Sequence, residues 1–168
     1  MIVDLGGGLG GVLAGLLRSD PRLEGILVDL PHVIEGASAR LDAAGVLDRC
    51  RLVAGSFFER IPEGGDIYVL RYILHDWDDE RAGAILRRCR EAMHERARLV
   101  VAESVLPERE PPVWLVMQDL HMLTLLGGRE RTEREYESLF RRNGFALRSR
   151  ASVADTDVLE AVVAGGGA

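Results

Sequence analysis

Short apolar runs alternate along the chain with stretches whose apolar residues return every three or four positions. Val3-Asp4-Leu5 runs into glycines, and then Leu9, Val12, Leu13, Leu16 and Leu17 recur at helical spacing. Ile26-Leu27-Val28-Asp29 reads as a buried strand and residues 32–45 as a helix. Leu52-Val53 belongs to a third strand and Ile67-Tyr68-Val69-Leu70 to a fourth. Asp78 or Asp79 can cap the next helix, whose apolar face is Ala82, Ile85, Leu86, Cys89 and Met93. Arg98 to Ala102 is a fifth strand. Strands alternating with helices predict βαβ units and a parallel, doubly wound, Rossmann-like α/β sheet.

The C-terminal part follows another pattern. Val113 to Leu126 looks helical. Thr132 and Glu135 form a capping box ahead of Tyr136, Leu139 and Phe140, and Asn143-Gly144 stops that helix. Strands at about 145–151 and 157–164 follow with a short connection, so they must be antiparallel; a parallel pair needs a crossover of about a dozen residues or more. The sheet is therefore expected to be mostly parallel and finished by an antiparallel hairpin. Residues 1–164 read as one domain, and Gly165-Gly166-Gly167-Ala168 as a flexible tail. The glycine motif begins at residue 6, which leaves its strand about five residues. A first strand of this kind is central in such folds, so a fuller protein is expected to carry an N-terminal segment ahead of it.

Composition narrows the partners. The 168 residues suffice for one domain with a substantial core. The net charge of −6 argues against a nucleic-acid partner, and Arg87-Arg88-Cys89-Arg90 lies on a helix interleaved with acids, as a solvated face would. All 21 basic residues are arginine. No apolar run reaches the roughly 18 residues of a membrane span, and Met1-Ile2-Val3-Asp4 lacks the form of a signal peptide. Cys50 and Cys89 show no metal or redox spacing and read as reduced core thiols of a cytoplasmic protein. A small molecule is the expected ligand.

Two features point to a nucleoside-containing cofactor. In Asp4-Leu5-Gly6-Gly7-Gly8-Leu9-Gly10-Gly11, glycines after a strand permit positive φ and close approach of a ligand to the backbone. Gly6, Gly8 and Gly11 also satisfy the dinucleotide fingerprint, and a bare strand-to-helix turn is the plainer alternative. Asp29 ends the second strand, where a carboxylate can accept hydrogen bonds from ribose hydroxyls or, more plainly, cap the helix after Pro31. Gly6, Asp29, Ser56, Arg71 and Glu103 each follow the end of a predicted strand, which is where open α/β sheets bind ligands.

The segment Leu74-His75-Asp76-Trp77-Asp78-Asp79-Glu80 separates the possibilities. With VDLGGGLG, VDLPHVI, GSFFERIP, YVLRYILHDWDDE, VAESVLP and GGRERTEREYESLF, in this order, the chain resembles the class I S-adenosylmethionine-dependent methyltransferases of the plant-type O-methyltransferase family, which includes caffeate, hydroxyindole and polyketide O-methyltransferases. The resemblance covers essentially the whole chain. It implies that Asp4, Gly6 and Gly8 hold the methionine part of S-adenosyl-L-methionine and Asp29 the ribose. Ser56 stands where the family has an aspartate for the adenine, beside Phe57, which can pack on the ring. Arg71 stands where the family often has lysine. His75 matches the catalytic base, and Glu103 and Glu130 the two acids that flank and orient it. Asp76 and Met122 match residues near the substrate, Met122 with a spacing to GGRERT that differs by one. The family's N-terminal segment, which gives dimerisation and part of the substrate wall, is absent from this stretch, so exposed apolar surface is expected where it would pack.

The chemistry implied is in-line displacement at a sulfonium methyl by a small-molecule hydroxyl, most simply a phenol. A phenol near pKa 10 and an ordinary histidine near 6.5 differ by roughly 3.5 units, about 5 kcal/mol for full prior proton transfer. A histidine already bonded to the hydroxyl avoids much of that by taking the proton as the methyl moves. No metal is expected, since the acids lack a ligand-like cluster with histidine in the sequence. Two other readings stand beside this one. An NAD-dependent oxidoreductase fits the glycine loop and Asp29, but not the hairpin or the lack of a Tyr-x-x-x-Lys pair. A cofactor-binding module without catalysis, or with altered chemistry, fits the departures at Ser56 and Arg71.

Overall fold

The strand that carries the glycine motif lies in the middle of the sheet. The computed structural model describes residues 1–165, so the last three residues of the expected tail lie outside the described residues. The first winding unit is β1 (Ile2–Leu5), α1 (Gly11–Ser19), β2 (Gly25–Asp29), α2 (Pro31–Ala43) and β3 (Cys50–Ala54). The second is β4 (Ile67–Arg71), α3 (Asp79–Ala92) and β5 (Arg98–Glu103). Then come β6 (Val105–Leu106), α4 (Val113–Leu125), β7 (Arg131–Thr132), α5 (Glu133–Arg142), β8 (Phe145–Val153) and β9 (Thr156–Val163). The main sheet has the order β3-β2-β1-β4-β5-β9-β8, with β1 to β5 parallel and β9 antiparallel to both β5 and β8. The chain winds outward from β1 in one direction and, from β4, in the other. The crevice between β1 and β4 is thus a topological switch point, where open α/β sheets take their ligands.

Alternation along the strands sorts the core into two layers. Val3, Leu5, Tyr68 and Leu70 pack on one face with Ile85 and Leu86 of α3 and Leu139 and Phe140 of α5. Ile2 and Val69 point to the other face, with Leu13 and Leu17 of α1 and Leu41 of α2. Asp4 shares that second face by the same alternation, so its carboxylate lies under the glycine loop. Asp78, of the two candidates, is the N-cap of α3, and its carboxylate accepts the Arg81 N–H at 2.8 Å. The capping box is present at α5, with Thr132 and Glu135 bonded reciprocally.

The periodicity misplaces two leucines. Leu9 and Leu16 are exposed (44% and 37%), because α1 begins only at Gly11 and turns Leu13, Ala14 and Leu17 inward. The two-residue parallel ladder of Val105–Leu106 with Arg131–Thr132 has no counterpart in the sequence pattern. Both cysteines are free and buried. Among the described residues no helix is long and apolar enough to cross a membrane.

Candidate active site

Beyond Leu5 the chain turns through Gly6, Gly8 and Gly10, all at positive φ (67°, 60° and 77°). A side chain at Gly6 would meet Ile73 Cδ1 at 2.5 Å and Phe57 Cε1 at 3.3 Å, whereas the space over Gly8 is open. At Gly7 it would meet Asp4 Oδ2 at 2.5 Å. Asp4 is buried, and that oxygen has no hydrogen-bond partner. Burial, then the charge of Asp29, pushes its carboxyl up to about 6. Asp29 accepts the Gly8 N–H through Oδ2 at 2.8 Å and the Leu30 N–H through Oδ1 at 2.7 Å. Leu30 is the N-cap of α2, without a side-chain cap, so Asp29 braces the glycine loop rather than capping the helix. Each of its oxygens retains acceptor capacity.

Three further residues border this crevice. Ser56 accepts the Phe58 N–H at 3.2 Å and lines, with Arg51, Glu59 and Arg60, a neighbouring cavity of about 500 Å³ to which Gly6, Gly8 and Asp29 do not contribute. Phe57 is half-buried and tilted against Phe58, with ring centroids 5.1 Å apart. Arg71 ends β4 with its guanidinium 4.6 Å over the Tyr72 ring.

His75 sits in a 3₁₀ turn, Leu74–Asp76, just past β4. Its Nδ1–H donates to Glu130 Oε1 at 2.8 Å, and Glu103 Oε2 lies 3.6 Å from the same nitrogen. Glu103 is anchored from the other side, since its Oε1 accepts the N–H groups of Ile73 (3.0 Å) and Leu74 (2.8 Å). Both acids are fully buried. With Nδ1 held, Nε2 is the nitrogen left to exchange a proton, and Asp76 Oδ1 lies 3.4 Å from it. Burial opposes protonation of His75, but the Glu130 hydrogen bond and the charges of Glu103, Glu130 and Asp76 outweigh it and raise its pKa. Burial pushes Glu103 up to about 7, against the pull of His75 and the two backbone donors. The sequence shows no ligand-like cluster of acids with histidine, but the fold gathers the three residues that the resemblance grouped: ligand-capable atoms of His75, Glu103 and Glu130 lie within 4.8 Å of one another. The chain brings them together from residues 28 and 27 positions apart, a proximity that linear spacing cannot reveal.

Several residues around the histidine escaped the sequence reading. Arg131 is fully buried and spans the turn: Nη1 donates to Leu74 O and Nη2 to Trp77 O, both at 2.8 Å, and Nε to Asp79 Oδ1 at 3.0 Å. The Arg129 N–H donates to His75 O at 2.8 Å. Gly128 packs so closely that a side chain there would overlap the His75 and Asp76 backbone. Tyr72 adopts a left-handed φ of 53°, lays its ring 5.5 Å from that of His75, and bonds Thr156 Oγ1 through its hydroxyl at 2.6 Å. Gln118 Nε2 donates to Glu130 Oε1 at 2.7 Å, and Asp119 Oδ1 accepts the Glu130 N–H at 2.7 Å. Met122 is half-buried near the end of α4, where its carbonyl accepts the N–H groups of Leu126 and Gly128. No hydrogen bond links its side chain to His75.

The raised groups set a pH dependence. Asp4 and Glu103 bind protons more tightly folded than unfolded, from ordinary values of 3.8 and 4.5. Their stabilising contribution is fully present below those values and is lost as pH rises through about 6 and about 7. His75, also raised, contributes below its unfolded value of 6.5 and loses that contribution as pH rises through its higher folded value. Carboxylates held low, Asp79 and Glu135 among them, act in the opposite sense but only below about pH 4. The chain is therefore expected to unfold at lower urea concentration at about pH 8 than at about pH 5.5, with Glu103→Gln flattening the difference. Equal midpoints at the two pH values would refute this.

The profile of the O-methyltransferase domain family matches residues 1–146. Phenazine O-methyltransferase PhzM of Lysobacter antibioticus is 51% identical over 146 residues, covering 87% of this chain and 43% of that protein. Aclacinomycin 10-hydroxylase RdmB of Streptomyces purpurascens is 37% identical over 157 residues, covering 92% of this chain and 42% of that protein. The solved structure of NcsB1, an O-methyltransferase from neocarzinostatin biosynthesis in complex with S-adenosylmethionine and 2-hydroxy-5-methyl naphthoic acid, superposes with a TM-score of 0.89 at 38% identity. That match covers 96% of this chain and 48% of that one. The chain thus spans less than half the length of each of these proteins. Sheet order, motif order and these matches agree, and the chain belongs to the O-methyltransferase domain family.

Proposed function

We propose that this chain is the cofactor-binding and catalytic part of an S-adenosylmethionine-dependent O-methyltransferase acting on a hydroxyl, phenolic in the simplest case, of a small molecule. The observation that carries the reading is the buried hydrogen bond from His75 Nδ1 to Glu130, which leaves Nε2 as the proton-accepting atom. The cofactor suits the crevice on two counts. The unpartnered, buried Asp4 Oδ2 lies where an ammonium group would relieve it, and the open space over Gly8 admits a ligand to the backbone. Asp4, Gly6 and Gly8 would hold the amino-acid part, Asp29 the ribose hydroxyls, and Phe57 with Ser56 the base. S-adenosylmethionine supplies, when bound, a methyl group already activated by its sulfonium. The protein's own task is then to present the acceptor oxygen and receive its proton at Nε2. Glu130 holds the imidazole in the Nδ1–H tautomer and stabilises the imidazolium that forms. Asp76 lies beside Nε2 and Met122 farther along α4, both on the side taken for the acceptor.

A cofactor-binding module with altered chemistry is the second reading, favoured by the hydroxylase among the relatives. Retention of the whole His75–Glu103–Glu130 arrangement ranks it below methyl transfer. Calorimetric titration of S-adenosylhomocysteine into the purified chain tests the cofactor. Saturable binding is expected, with NAD giving none. Asp29→Ala is expected to weaken it about tenfold or more, as lost hydrogen bonds to a charged acceptor would. A folded chain that takes up no S-adenosylhomocysteine would sink the proposal.

A further inference from the structure

Glu130 is gripped from α4 at two points. Its side chain receives the Gln118 Nε2–H at the same Oε1 that binds His75, and its backbone N–H is bound by the Asp119 carboxylate. These are neighbouring residues on the inner side of a helix whose outer side is bare: Val113, Met117, Leu120 and Leu123 are exposed, and Leu115 is its one fully buried residue. The other acid, Glu103, is fixed independently, by Ile73 and Leu74 N–H groups on the β4 side. His75 Nδ1 therefore lies between a carboxylate referenced to the sheet, at 3.6 Å, and one referenced to α4, at 2.8 Å.

We infer that Gln118 and Asp119 are positioning residues through which α4 sets the orientation and tautomer of His75. This rests on the reading of His75 as the base. The charged groups facing the imidazole are Glu130 from the loop before β7, Glu103 from β5 and Asp76 from its own turn. Only the first is held by α4. When α4 releases Glu130, the imidazole loses its hydrogen-bond acceptor, because Glu103 stands beyond bonding distance. Free imidazole side chains then revert toward the Nε2–H form, which carries its proton on the atom that must receive one.

Two-bond ¹⁵N–¹H correlation spectra of the purified chain, with His75 assigned by His75→Asn, report the tautomer without requiring a slowly exchanging proton. At pH above its midpoint, His75 in the unmodified chain is expected in the Nδ1–H form. Asp119→Ala and Gln118→Met are each expected to transfer a measurable fraction to Nε2–H and to lower the His75 titration midpoint by about 0.5 unit or more. Asp119→Asn keeps an oxygen acceptor for the Glu130 N–H and is expected to restore the original spectrum. Gln118 is only half-buried and methionine matches its length, so Gln118→Met tests the coupling even if Asp119→Ala does not fold. An unchanged His75 tautomer and midpoint in folded Gln118→Met would overturn the inference, as would failure of Asp119→Asn to rescue a folded Asp119→Ala. Failure of S-adenosylhomocysteine to bind would instead strike the cofactor reading and leave this spectrum unaffected.

Discussion

If the proposed reading holds, methyl transfer is expected to fall by about a hundredfold to ten-thousandfold when His75 becomes asparagine, the range over which a positioned general base acts. Asparagine keeps a similar size and can still bond Glu130, so S-adenosylhomocysteine affinity is expected to stay within about twofold, since His75 lies outside the proposed cofactor contacts. Glu130→Gln is expected to lose less, because the amide oxygen still accepts from Nδ1 but no longer carries the charge that stabilises imidazolium. The pH profile supplies a second readout. A base must be unprotonated and the His75 pKa is raised, so with His75 in that role the rate is expected to climb with pH through a midpoint above 6.5, and Glu130→Gln to move that midpoint down. Methyl transfer in His75→Asn at the unmodified rate would dismiss His75 as the base, whatever the cofactor data say.

The second large effect is on stability. Gly128→Ala is expected to destabilise the fold by about 3 kcal/mol, lowering the urea midpoint by about 1 to 2 M. The added methyl would overlap the backbone of His75 and Asp76, including the Asp76 carbonyl oxygen at 2.7 Å, and neither side can yield as a flexible side chain would. Moving the turn away strains the Arg129 N–H bond to His75 O and the two Arg131 bonds to Leu74 O and Trp77 O. Gly127→Ala is the control. Gly127 has φ 73° and open space around it, so only the left-handed backbone penalises alanine there, by about 1 kcal/mol. Equal losses at the two glycines would mean that the close approach at Gly128 does not hold the turn.

How much the sequence disclosed depended on the range of the interaction. Local signals were readable: the glycine turn after β1, Asp29 at the end of β2, the Thr132–Glu135 box, and the hairpin forced by the short connection between β8 and β9. Each is fixed by residues a few positions apart or by strand periodicity. The strand-end position singled out Glu103, but His75, Glu103 and Glu130 were grouped only through motif resemblance, since no spacing rule joins residues 75, 103 and 130. The supports were illegible. Arg131 lies in an arginine- and glutamate-rich stretch that looks solvated, yet it is buried by bonding two carbonyls more than 50 residues away. Backbone acceptors carry no residue identity, so such a partner leaves no trace in composition. Gln118 and Asp119 sit in a helix read for its apolar period, which hides the two polar residues that matter most to Glu130.

The pairing of β1 directly with β4, Leu5 beside Leu70, makes the sheet a ruler for the reaction. The loop proposed to hold the donor and the turn that carries His75 leave adjacent strands, about 4.8 Å apart in the sheet, so backbone pairing sets the gap between them. Point changes around the crevice alter what is brought to that gap. A single-residue insertion or deletion within β4 would instead slide His75 by about 3.3 Å or turn the strand's side chains to the other face, because strand register moves in whole residues. Variation among proteins built on this sheet should therefore be written in side chains along α4 and the hairpin tip, and almost never in the length of β4.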